Sequence, residues 1–154
     1  MHLNYAAKST QKRRPGLPEP PFFISVSEPQ ARGQISFTDV NRDKYYYQAV
    51  AWASEAGIIG GFSPTRFAPE ENLTREQLAA ILANYAAHKG TDTKASGALN
   101  GFSDSATVSP WAREALEWAT ARKLLGGMGN NQLQPKSGAT RAQLAAILER
   151  FIKN

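Results

Sequence analysis

Cysteine is absent from this chain of 154 residues, and histidine occurs only as His2 and His88. Without thiols there is neither a disulfide nor a thiolate metal site, so the fold must hold by packing alone. The two histidines do not stand at ligand spacing, and no metal site is expected. Walker and dinucleotide fingerprints are also missing: Gly60-Gly61 and Gly126-Gly127 precede loops rather than helix starts, so no cofactor is expected. No apolar run approaches the roughly 20 residues of a membrane span. The apolar stretch near the start is too short for a secretory signal, and no small-residue cleavage site follows it.

Charge of either sign is modest. Hydrophobic residues make up 42% and charged residues 20%, a globular composition. Of the formal +5, residues 1–36 carry +3, from Lys8, Lys12, Arg13, Arg14 and Arg32 against Glu19 and Glu28. The other 118 residues keep +2, too little for a nucleic-acid surface, and no nucleic-acid partner is expected. The Lys12-Arg13-Arg14 cluster reads as a solvated tail. Pro15, Pro18, Pro20, Pro21 and Pro29 exclude a long helix from this stretch. It reads as a mostly extended leader in which Phe22-Phe23-Ile24-Ser25-Val26 forms a short strand or docks on a neighbour.

What is present is a duplication. Thr74-Arg75-Glu76-Gln77 leads into Leu78-Ala79-Ala80-Ile81-Leu82, and 66 residues later Thr140-Arg141-Ala142-Gln143 leads into Leu144-Ala145-Ala146-Ile147-Leu148. Upstream, Phe37-Thr38-Asp39 pairs with Phe102-Ser103-Asp104, Trp52-Ala53 with Trp118-Ala119, and Gly60-Gly61 with Gly126-Gly127. The chain therefore divides into the leader 1–36, a first repeat 37–90, a polar linker 91–101 and a second repeat 102–154. Each repeat reads as helix, glycine-rich loop, helix. The predicted fold is all-α, with tandem helix-loop-helix repeats packed as a pseudo-symmetric helical bundle, because neither repeat alone covers both its helices.

Local signals set the helix limits. Tyr45, Ala49, Trp52, Ala53 and Ala56 fall at helical spacing as one apolar face, as do Trp111, Ala115, Trp118 and Ala119. Ser109-Pro110 suits a helix start, and Gly57 suits a stop. Thr74 with Gln77, and Thr140 with Gln143, fit a capping box, in which cap and third residue satisfy each other's free amides. Leu78, Ile81, Leu82 and Tyr85 then form an apolar stripe, matched by Leu144, Ile147, Leu148 and Phe151.

Arg75 and Arg141 are electrostatically odd. Each sits in a first helical turn, where a cation faces the positive end of the helix dipole at a cost of about 0.3–1 kcal/mol. Helix-start amides beside a guanidinium suit a carboxylate or phosphate; a structural salt bridge to Asp39, Asp104 or Glu70 explains the residues equally well. Trp52 and Trp118 read first as core and second as sugar-stacking residues. Asp39 and Asp104 read as helix caps or as acceptors for ligand hydroxyls. Paired carboxylates also hydrolyse glycosides, but acid and base need unequal surroundings, and near-identical repeats do not provide them.

Phe-x-Asp, Ala49-Val50-Ala51-Trp52-Ala53, Gly57-Ile58-Ile59-Gly60-Gly61, Phe67-Ala68-Pro69 and the Thr-Arg-x-Gln helix together resemble the S-layer homology module over residues 37–89 and 102–152. The resemblance implies a helical module, usually one of three in a pseudo-threefold bundle. Such modules anchor proteins to the bacterial envelope by binding secondary cell-wall polysaccharide, often at pyruvylated amino sugars. It assigns the acidic ligand to Arg75 and Arg141, and adds Asp39, Asp104, Trp52, Trp118, Gly61 and Gly127 to the ligand-binding set. The family's motif glutamate is Gln77 and Gln143 here, and its Asp-Gly turn is Pro64-Thr65 and Asn130-Asn131. Only two repeats are present, resembling the last two of three.

The expectation is thus a non-catalytic, extracellular wall-anchoring protein whose partner is cell-wall polysaccharide. Two alternatives stand beside it: a small glycoside hydrolase using groove carboxylates Asp39, Asp104 or Glu70, and a homo-oligomeric surface protein completing a three-module bundle across chains.

Overall fold

A computed structural model describes residues 35–153. The extended leader and the segment Phe22–Val26 lie outside the described residues. Four α-helices and no sheet are found among the described residues: α1 (Tyr47–Glu55), α2 (Arg75–His88), α3 (Arg113–Ala121) and α4 (Arg141–Lys153). The all-α expectation holds.

Both capping boxes form. The Thr74 amide donates to Gln77 Oε1 at 2.8 Å, and the Gln77 amide donates to Thr74 Oγ1 at 3.3 Å. At Thr140 and Gln143 the same pair of bonds measures 3.0 and 3.2 Å. Gly57 (φ +70°) and Gly90 (φ +82°) end α1 and α2 in the left-handed region, where glycine carries no Cβ penalty. Pro110 opens a single 3₁₀ turn, Pro110–Ala112, from which α3 continues.

The core lies where the repeats meet. Leu78, Ala79, Leu82, Ala83 and Ala86 of α2 pack with Leu116, Trp118 and Ala119 of α3, with Leu124, Leu125 and Leu133 from the following loop, and with Ile147 of α4. Burying each such leucine stabilises by about 1.5–3 kcal/mol, and here the cluster spans the boundary between repeats.

Two pattern readings need correction. In the first helix Val50 and Ala51 are the buried residues, while Tyr45 is 96% exposed. Tyr45 precedes α1, and Trp111, 60% exposed, stands in the 3₁₀ turn; with about three residues per turn there, a 3.6-residue count carried through it misplaces the face. The two long-helix stripes also differ. Leu78 and Leu82 are buried, yet their counterparts Leu144 and Leu148 are 38% and 40% exposed. The sequences of the stripes agree; among the described residues, α2 is covered by the second repeat and α4 has no comparable cover.

Candidate functional site

The start of α2 docks on the loop of the second repeat. The Arg75 amide donates to the Ser137 carbonyl (2.9 Å), the Glu76 amide to Pro135 (3.0 Å), and the Ala139 amide to Leu73 (3.0 Å). The Arg75 side chain completes the seam: Nε donates to the Leu133 carbonyl at 2.9 Å and Nη2 to the Gly126 carbonyl at 2.5 Å. The helix-start amides that suit an anion are thereby met by carbonyl oxygens of the neighbouring repeat. Arg75 is buried, and loss of hydration lowers its guanidinium pKa from the ordinary value, while the nearby Asp104 charge opposes the shift. No salt bridge forms to Asp104; the contact partners are carbonyls. Arg141, at the same place in the second cassette, is exposed and carries no hydrogen bond or ion pair from its side chain among the described residues. Matching cassettes therefore hold one engaged arginine and one open one.

Glu76, beside Arg75, is 3% exposed and collects three donors: the Ser109 amide (3.1 Å), the Ser109 hydroxyl (2.9 Å) and Lys136 Nζ (2.9 Å). Lys136 Nζ also contacts Ser109 Oγ. The helix start at Ser109-Pro110 is thus capped from the other repeat, not by Ser109's own side chain. Sequence reasoning missed this role. Its one visible trace is that the second cassette has Ala142 where the first has Glu76.

Asp39 and Asp104 act as clamps on the loops. Asp39 accepts from the amides of Phe67 (2.9 Å) and Ala68 (2.7 Å), and Asp104 from those of Leu133 and Gln134 (both 2.8 Å). In each loop the clamped pair includes a residue in the left-handed region, Ala68 at φ +62° and Gln134 at φ +51°, a conformation that costs free energy for a residue with a Cβ. The bond from Phe67 lowers the Asp39 pKa below the ordinary carboxylate value; partial desolvation opposes this, and Ala68 and the Arg66 charge reinforce it. Asp104 is lowered in the same way, by Leu133 first, with Gln134 and the Arg75 charge adding. Both carboxylates are held ionised, the opposite of what a glycosidic general acid requires.

Gly61 and Gly127 close the same loops. A Cβ on Gly61 would collide with the Arg66 carbonyl and stand 2.6 Å from the Phe37 ring, and one on Gly127 would stand 3.0 Å from the Phe102 ring. The aromatic of each Phe-x-Asp motif thus lies against its glycine. Trp118 is buried and meets Phe151 edge-on at 6.4 Å, and its Nε1 is a buried donor with no hydrogen-bond partner among the described residues. Trp52 is half-buried and meets His88 edge-on at 6.1 Å.

Two cavities flank this framework. A small one of about 210 Å³ lies at the C-terminal end of α2, where Tyr85, Trp118 and Phe151 adjoin the cations Lys89 and Arg122. A larger one of about 800 Å³ opens on the first repeat, lined by Ile58, Gly60, Phe67, Leu73 and Asn84 and reached by Trp111. Of the expected site residues, only Trp118 lines the first cavity and only Gly61 the second. Among the described residues no cluster of His, Asp and Glu could hold a metal ion, and no helix is long and apolar enough to cross a membrane.

Two helical repeats joined by a buried cassette-to-loop seam define a tandem repeat module. The family model for the S-layer homology domain matches residues 36–79 and 101–145, and the chain belongs to that family. It is similar to a surface-layer 125 kDa protein of Lysinibacillus sphaericus, 37% identical over 135 residues, 86% of this chain and 11% of that protein. It also resembles an amylopullulanase of Thermoanaerobacterium thermosulfurigenes (38% over 114 residues; 73% of this chain, 6% of that one). A cellulosome-anchoring protein of Acetivibrio thermocellus is 29% identical over 107 residues, 69% of this chain and 23% of that protein. The chain thus spans a small part of these relatives. Family membership makes it a module of the bacterial cell surface, associated with the cell wall.

Proposed function

We propose that the chain anchors to the bacterial cell wall by binding acidic, pyruvylated secondary cell-wall polysaccharide. The observation that carries this reading is the doubled family match over both repeats, alongside relatives whose names are surface-layer and anchoring proteins. The chemistry fits the cations that the fold leaves accessible. Arg141 stands in the first turn of α4, where its guanidinium fork and the helix-start amides favour a carboxylate. Lys89 and Arg122 border a cavity whose Tyr85, Trp118 and Phe151 rings suit a sugar face, with the unpartnered Trp118 Nε1 as a donor close by. In this reading Arg75, Asp39, Asp104, Gly61 and Gly127 serve the ligand by shaping the loops and the seam, and Trp52 flanks the first repeat.

Calorimetric titration with purified wall polysaccharide tests it. Arg141→Ala weakens binding about tenfold, the loss of one charge-assisted hydrogen bond, and removal of the pyruvyl groups weakens it similarly. Unchanged affinity in the Arg141→Ala protein, or no binding by the wild type, refutes the proposal.

A further inference from the structure

The seam between the repeats forms once inside the chain, yet the chain carries a second example of each of its halves. On the donating side, α4 presents Arg141, Leu144, Ala145 and Leu148 at the positions of Arg75, Leu78, Ala79 and Leu82 on α2. The α2 set is buried; every member of the α4 set is exposed. On the accepting side, Gly60, Phe67 and Pro69 of the first repeat occupy the places where Gly126, Leu133 and Pro135 receive α2. Leu133 and Pro135 are fully buried beneath α2, whereas Phe67 and Pro69 are only half-buried and line the open 800 Å³ cavity.

We propose that the chain docks head to tail with a second copy of itself, the start of α4 entering the groove of a neighbour's first repeat. Arg141 donates to the Gly60 and Phe67 carbonyls, and Leu144 and Leu148 fill the apolar cavity, as Arg75, Leu78 and Leu82 do within the chain.

The polar residues of the seam support this pairing independently. Internally Glu76 faces Ser109 and Lys136. The corresponding trio across the proposed contact is Ala142, Asp43 and Glu70. A carboxylate at position 142 would meet two others; alanine removes that conflict, and Arg141 brings a cation to a groove lined in part by Glu71. Ala142 therefore spares the contact a third carboxylate beside Asp43 and Glu70. Because both halves belong to one chain, copies satisfy each other with no other protein. The contact is heterologous, so it closes into a ring or extends as a file according to the angle between chains. It occupies Arg141, so a docked neighbour and a wall saccharide held by Arg141 exclude each other, while the cavity of Lys89 and Arg122 takes no part.

Sedimentation velocity on the full chain, without polysaccharide, tests the proposal. The wild type associates as concentration rises. Leu148→Glu, at an exposed site on α4, and Phe62→Glu, at the exposed rim of the groove, each abolish association with unchanged circular dichroism. Mixed together, these two variants form a one-to-one dimer and nothing larger, because one intact donor half and one intact acceptor half remain. Ala142→Glu loosens association and Ala142→Lys tightens it, each about two- to fivefold, the effect of an exposed charge pair. A wild type that stays monomeric, association that survives either glutamate variant, or failure of the mixture to pair overturns it. So does a chain that associates only once residues 1–34 are removed, since the groove would then be filled by its own N-terminal segment.

Discussion

Replacing Arg75 with methionine removes the guanidinium while keeping much of the apolar stem, and so isolates the seam. Two hydrogen bonds to backbone carbonyls disappear, one at 2.9 Å to Leu133 and one at 2.5 Å to Gly126. Hydrogen bonds from a charged donor contribute about 1.5–3 kcal/mol each. The Leu133 carbonyl belongs to a residue with no exposed surface, so it loses this donor without gaining bulk water. Against this, the variant no longer desolvates a cation, which returns part of the loss. The net destabilisation is about 2–4 kcal/mol. Arg141→Met is the internal control. It changes the same residue in the same cassette, but its side chain is exposed, so relief at the helix start makes it neutral or stabilising by about 0.3–1 kcal/mol. Urea unfolding followed through the three tryptophans, at concentrations that keep the chain monomeric, measures both. At an m-value of about 2 kcal/mol/M the Arg75→Met midpoint falls by roughly 1–2 M, while that of Arg141→Met stays or rises slightly. Equal shifts in the two variants would refute the claim that burial in the seam distinguishes the arginines.

Glu76→Ala removes the acceptor that caps the helix start at Ser109, and costs about 1–2 kcal/mol in the same assay; a loss below the error of the measurement would deny the cross-repeat cap. Gly61→Ala drives a methyl group into backbone at Arg66 and Ser63 and costs about 1–3 kcal/mol, and Gly127→Ala, with looser surroundings, costs less, so the order of their thermal midpoints checks the loop geometry. Asp39 and Asp104 have folded pKa values below their unfolded value of about 3.9. Their contribution is therefore fully present above about pH 4 and is lost as pH falls through the lowered folded values. Acid unfolding of the Asp39→Asn/Asp104→Asn protein should show a shallower loss of stability below pH 4 than the wild type; parallel acid limbs would refute the clamp assignment.

Much of the fold was legible because its signals are local. A capping box needs only Thr and Gln three residues apart, and both boxes formed. The end of α1 at Gly57 needs a positive φ that glycine reaches without strain. Asp39 and Asp104 were less legible: expected as helix caps or ligand acceptors, they bond instead to loop amides 28 to 30 residues away. The site was less legible. Lys136 and Glu76 are 60 residues apart, and no spacing rule joins them. The Tyr85, Trp118 and Phe151 cavity arises from three different helices. The outward placement of Trp111 depended on where a 3₁₀ turn gave way to α-helix, and that of Tyr45 on where α1 begins; periodicity resolves neither boundary.

The sequence by itself determined the duplication, the helices and the start of each long one, because hydrogen-bonded caps and apolar spacing act within a few residues. Only the tertiary structure decided what the duplicated arginines do. Arg75 and Arg141 are preceded by the same threonine and lead, past Glu76 or Ala142, into the same Leu-Ala-Ala-Ile-Leu run, so capping and apolar spacing treat them alike. What separates them is the neighbour: α2 has a repeat after it whose loop carbonyls take its arginine out of water, and α4, among the described residues, has none.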